Sequence, residues 1–270
     1  MWKEINILQA ELYFSRVQTE QLKEKPDPNM ILGSLIKARN IMPDNDSYRR
    51  ALSATALNFA ILAEQQKTLT DESKQQLLQT AVVEGEMAVR LAPHNIFNWE
   101  NLQRVYSTVT LENQDDLLMN NVFLQEISLD PTNPGHRNDL GLAYINLRND
   151  TELAKINFQN AISLKPDFVD AHYSLAIIYR QEGKKEKAVQ AYDQTLSFLT
   201  SQISFLEPVV SSRADLQSNL DQLKQLEAQI ESERGALLLE IEEEQQPEIS
   251  PEEAEIKKTE EETTPIETGE

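Results

Sequence analysis

Cysteine is absent from this 270-residue chain, which excludes disulfides, thiolate metal ligands and thiol nucleophiles. Glycine is scarce: the seven present are isolated from one another, so no Gly-rich loop exists to cradle a phosphate. No stretch approaches the ~20 apolar residues with which a helix crosses a bilayer. The opening Met1-Trp2-Lys3-Glu4-Ile5-Asn6 lacks a basic segment followed by an apolar run, so no signal peptide is expected. The cytoplasm is therefore the expected compartment, with association with the cell envelope as the alternative. Positive charge is also in short supply. Twenty-five Lys and Arg face 45 Asp and Glu, giving a net charge of −20. That balance argues against a nucleic-acid partner, which needs clustered Lys and Arg.

Catalytic constellations are missing as well. His94, His136 and His172 form no His-x-x-x-His or His-Glu pair of the kind that holds a metal. Without a clustered base no serine is a credible nucleophile. Asp44-Asn45-Asp46 opens like a calcium loop but lacks the glycine and the late glutamate, so helix capping explains it better. The sequence thus predicts a non-enzymatic protein with no metal and no cofactor.

What the chain does contain is a rhythm of prolines. Met42-Pro43-Asp44-Asn45, Ala92-Pro93-His94-Asn95, Asp130-Pro131-Thr132-Asn133 and Lys165-Pro166-Asp167-Phe168 each close an apolar stretch and precede another, at intervals of 50, 38 and 35 residues. Between them apolar residues recur at spacings of three and four, and β-branched alternation is nowhere sustained, so helices are expected throughout. Leu140, Gly141 and Tyr144 precede Ala154, Phe158, Ala161 and Pro166; Leu175, Ala176 and Tyr179 precede Gly183, Ala188 and Tyr192. Trp99, Leu102 and Tyr106 share one helical face, and Met119, Phe123 and Glu126 belong to the partner helix before Pro131.

These residues resemble the tetratricopeptide repeat, whose pattern places Trp, Leu, Gly and Tyr on a first helix, then Ala, an aromatic, Ala and Pro on a second, with a period of roughly 34 residues. The resemblance is clearest over 134–168 and 169–202, expanded over 96–133, stretched over 46–95 and faintest over 10–45. In 169–202, Thr195 and Thr200 stand where Ala and Pro are expected. It implies an all-α fold: a right-handed superhelix of antiparallel pairs, with 1–45 as a degenerate N-terminal pair and 46–202 as the stacked array. Ser128–Tyr144 and Leu164–Ala176 are also similar to the repeat tails of bacterial O-antigen ligase or polymerase-like membrane proteins, which implies, as an alternative, a repeat module attached to envelope polysaccharide chemistry.

The resemblance further implies a protein or peptide partner held on the first helices of the pairs. Carried over position by position, the groove is Glu100, Arg104 and Ser107; then Asn138, Leu142 and Ile145; then Tyr173, Ile177 and Arg180. The family's Asn and Lys set for a terminal carboxylate is not reproduced. Past Thr200 the period fails. Val209, Leu216, Leu223, Ile230 and Leu237 repeat every seven residues, while the line Leu206, Arg213, Leu220, Glu227, Arg234 and Ile241 is only half apolar. Residues 203–244 are therefore expected as a long C-terminal helix, opened by Pro208, that caps the array; self-association through 205–244 is the other reading. Glu240 to Glu270 carries thirteen Glu and two Lys. Residues 245–270, rich in Pro, Glu and Thr, are expected as a disordered acidic tail.

Overall fold

The structure, a computed structural model, describes residues 2–109 and 117–245, and every regular element among them is helical. In chain order these are α1 (Trp2–Gln21), α2 (Pro28–Ile41), α3 (Asp46–Gln66), α4 (Asp71–Leu91) and α5 (Ile96–Thr108). A π-helical stretch, Leu117–Phe123, runs into α6 (Leu124–Leu129). Then follow α7 (Pro134–Arg148), α8 (Thr151–Leu164), α9 (Val169–Gln181), α10 (Lys185–Val210) and α11 (Gln217–Gln245). The chain divides into two compact units, Met1–Pro166 and Asp167–Glu270. Of the expected acidic tail, 245–270, Gln245 is the last residue of α11 and the rest lies outside the described residues, as does the core of the insertion in 96–133.

Local chemistry explains the proline rhythm. The residue before a proline is pushed out of the α region, so each preceding helix ends there. Its last carbonyls are closed by the next backbone N–H groups: Met42 to Ala38, Ala92 to Ala88, Asp130 to Glu126 and Lys165 to Ala161, at 2.8–3.0 Å. Two residues after the proline, Asn45, Asn95 and Asn133 cap the following helix by accepting from the N–H of Tyr48, Phe97 and Gly135. Thr70 and Asp150 do the same for the second helices of their pairs. Such caps are worth ~1 kcal/mol each.

In the first unit, α1 packs with α2, α3 with α4, α5 with the segment ending in α6, and α7 with α8. Small residues set the approach of the helices. A Cβ on Gly141 would stand 2.6 Å from Phe158 Cε1, so only glycine lets α7 lie this close to α8. Phe158, Ala154 and Ala161 are fully buried beneath it. Polar bonds join successive pairs: Asp46 accepts from Asn95 and Asn98 at 2.9 Å each, and Ser53 receives Asn101 at 2.9 Å while donating to the Ala81 carbonyl. Glu84, nearly buried, bridges Arg39 (3.3 Å) and Arg49 (2.7 Å), tying α2, α3 and α4 together.

The second unit is built from α9, α10 and α11. Ala176, Ala188 and Tyr192 form its repeat core, and Thr195 fills its alanine slot by donating to the Ala191 carbonyl at 2.7 Å. With Thr200 in place of a closing proline, α10 continues to Val210, and Thr200 donates to Glu227 at 2.6 Å. Pro208 therefore does not open a helix, as its position in the sequence suggests. It lies in the last turn of α10, where its missing N–H and ring disturb only the Ser204 carbonyl. The chain reverses over residues 211–216, and the long C-terminal helix, α11, starts at Gln217. Glu207–Lys224, Asp193–Arg234 and Lys185–Glu240 pair α10 with α11 in opposite residue order, so the two run antiparallel. Leu220, Ile230 and Leu237 are buried against Leu199 and Ile203 of α10. Both apolar lines of α11 thus face its own unit.

Candidate partner-binding face

The first helices of the pairs carry the predicted groove residues. Each occupies a fixed register: Glu100 is the fifth residue after Asn95, Asn138 the fifth after Asn133, Tyr173 the fifth after Phe168. Counting five from Asn45 gives Arg50, which belongs to 46–95, where the repeat pattern is stretched. In the first unit Arg104 and Ser107 are exposed, Leu142 is exposed, and Glu100 and Ile145 are half-buried. Asn138 is buried, and its Oδ1 has no hydrogen-bond partner.

Two clefts gather these residues. One, of about 510 Å³, lies between α3 and α5 and is lined by Arg50, Ala51, Ala54, Phe97, Glu100, Asn101 and Arg104. Phe97 is 61% exposed, with the Arg50 guanidinium 5.6 Å above its ring. Arg50 donates to Asn98 Oδ1 at 3.0 Å and Arg104 donates to Asn58 Oδ1. Each guanidinium has five N–H donors in a planar fork, so a single bond to a neutral amide leaves donors for a ligand, while the Arg50 charge also acts on the Asp46 carboxylate. The second cleft, about 250 Å³, includes Ser107 and Leu142 with Gln103, Phe123 and Asp139. Gln103 donates to Asp139 across it at 3.3 Å. Arg50, Phe97, Gln103 and Asp139 were not among the sequence candidates.

The predicted trio of the second unit meets a residue of its own chain. Glu233 on α11 accepts from Tyr173 (3.0 Å), Tyr192 (2.9 Å) and Gln229 (2.9 Å), and lies 3.4 Å from Arg180. Burial alone would raise the Glu233 carboxyl, but these donors and the Arg180 charge outweigh it and hold it below its ordinary value. Burial and the same carboxylate push the Tyr173 hydroxyl up. Ile177 is half-buried. Tyr173 and Arg180 are thus already committed to α11, a contact too distant in sequence to be read from the repeat pattern.

The histidines are scattered: His94 is exposed, His136 buried, and His172 buried with its ring 5.2 Å from that of Phe198. Among the described residues no group of three or more His, Asp or Glu is arranged to hold a metal. No described helix is long and apolar enough to cross a membrane.

Residues 157–190 match the family model described as tetratricopeptide repeat. That stretch takes in Ala161, Pro166, Leu175, Ala176, Tyr179 and Ala188, the residues on which the pattern is clearest. No curated protein matches the chain by sequence. Among solved structures the chain is similar to one titled "Crystal structure of MamA protein", at 16% identity and TM-score 0.57, covering 73% of this chain and 95% of that one. It is equally similar to MamA 41-end from Desulfovibrio magneticus RS-1, at 17% identity and TM-score 0.57, covering 72% and 97%. At such identities the likeness is one of fold.

Proposed function

We propose that this chain, which carries a tetratricopeptide-repeat match over residues 157–190 and shares its fold with tetratricopeptide-like structures, is a non-enzymatic scaffold that holds a protein partner through an extended peptide laid across its first helices. The observation that carries this reading is the cleft between α3 and α5. Its two guanidiniums, Arg50 and Arg104, are hydrogen-bonded to neutral amides and line the same cleft as an exposed aromatic ring, Phe97, over which Arg50 stands. Such a surface offers N–H donors to peptide carbonyls or carboxylates and an apolar platform to a side chain, the combination found at interaction hot spots. The proposed groove comprises Glu100, Arg104, Ser107, Asn138, Leu142 and Ile145, extended by Arg50 and Phe97. Tyr173, Ile177 and Arg180 form a second contact set, where a partner must compete with Glu233.

A peptide array probed with the full chain tests the reading. Peptides retained by the wild type should be lost, by tenfold or more in affinity, from a chain carrying Arg104→Glu and Tyr173→Ala. Unchanged affinities would place the partner surface elsewhere.

A further inference from the structure

Five residues before each closing proline the chain places a fully buried side chain. At three of these places it is alanine: Ala38, Ala88 and Ala161. In the pair closed by Pro131 it is Glu126, and it too has no exposed surface. Neither of its carboxyl oxygens has a hydrogen-bond partner. A buried carboxylate without donors costs far more than a buried methyl group, so this slot is chemically unlike its equivalents. The comparison with Thr195, which occupies the slot in the second unit and is satisfied by the Ala191 carbonyl, makes the contrast sharper.

The surroundings work against a negative charge. The charged or titratable groups acting on Glu126 among the described residues are Glu100 from α5, and Asp139 and His136 from α7. Burial first, then Asp139 and Glu100, push the carboxyl up to about 8. The His136 ring approaches the carboxyl from α7. Asn133 Oδ1 caps Gly135, which turns its Nδ2 toward His136 Nε2 at 3.2 Å. Nε2 is then the acceptor, so a neutral ring carries its proton on Nδ1, which lies 3.9 Å from Glu126 Oε2, beyond hydrogen-bond reach. The helices on either side, α5 and α7, each present one more buried acceptor without a donor, Asn101 Oδ1 and Asn138 Oδ1.

We propose that Glu126 is a proton-operated latch of the third helix pair. Protonated, it lets α6 seat against α5 and α7; ionised, it loosens α6 from both. The residues that oppose its ionisation, Glu100 and Asp139, line the two clefts described above, so loosening α6 from α5 and α7 acts on the helices that carry both clefts. The inference rests on the geometry of the pair and stands whether or not a peptide binds there.

The linkage has a definite sign. A carboxyl whose value is higher in the folded chain than in the unfolded one favours folding fully below the unfolded value of 4.5, and that contribution is lost as pH rises to about 8. Thermal unfolding of the full chain between pH 5 and pH 9 tests it, with Glu126→Gln as a permanent mimic of the protonated form. The two melting temperatures should agree near pH 5, and the wild type should fall about 5 °C or more below the variant by pH 9. Hydrogen exchange should show protection of the Leu124–Asp130 amides falling with pH in the wild type only, after correction for intrinsic rates. Should Glu126→Gln not fold, Glu126→Ala, which restores the residue of the other pairs, takes its place in both measurements. Parallel melting curves, or equal pH dependence of exchange in wild type and variant, would overturn the proposal.

Discussion

Glycine positions separate packing from backbone effects at the scale of single residues. Gly141 faces Phe158, whose ring a new Cβ would meet at 2.6 Å, whereas Gly33 in α2 and Gly235 in α11 face open space. Gly141→Ala should therefore destabilise the first unit by about 1–3 kcal/mol, because either the ring or the helix must give way. Gly33→Ala should stabilise by about 0.5–1 kcal/mol, since alanine is the better helix former and meets nothing. Urea unfolding of the two variants checks both signs; a Gly141→Ala protein as stable as wild type would show that close approach is not what the residue is for. Glu126 belongs to the same scale. Sequence placed it on the right helix, but only the packing of α5 and α7 around it reveals that an alanine slot has been given to a carboxyl.

Helix boundaries were legible wherever local chemistry sets them. The Pro-x-Asn signature at 43–45, 93–95 and 131–133 marks both the end of one helix and the cap of the next, and the structure follows it. Where no such signal stands, long-range packing decides. Thr200 does not stop α10, and the reversal at 211–216 is set by α11 burying its apolar face along α10. Proline at 208 is tolerated near a helix C-terminus as well as at a start, so the residue alone does not distinguish the two. The π-helical entry to α6 was not legible either, since its register depends on how the insertion before it is absorbed. Ile230→Ala should cost about 2–5 kcal/mol of unfolding free energy, as for a fully buried aliphatic residue. Intramolecular packing also predicts that this loss is independent of protein concentration. A stability change that vanishes on raising the concentration in sedimentation-matched melts would favour association through α11 instead.

Charge acts on the molecule as a whole. At −20 the chain repels acidic partners at a distance, but at 0.15 M salt that repulsion is screened beyond ~8 Å. Contacts within a few ångströms of Arg50 and Arg104 are screened much less, so in the proposed groove the local pair would select a ligand that the net charge would not. The shared helix register of Glu100, Asn138 and Tyr173, on which the proposed groove rests, could be read from sequence in the clear repeats. It missed Arg50 and Phe97 because they belong to positions where the pattern is stretched or where core signatures say nothing. The most direct test is site-specific photo-crosslinking with an array-selected peptide, using a photoreactive phenylalanine analogue at position 97 and, as a control, at exposed position 205 on α10. Labelling at 97 that is competed by unlabelled peptide, with none at 205, is the predicted result. Equal labelling at the two sites, or labelling at 205 alone, would contradict the assignment of the partner to the first-helix face.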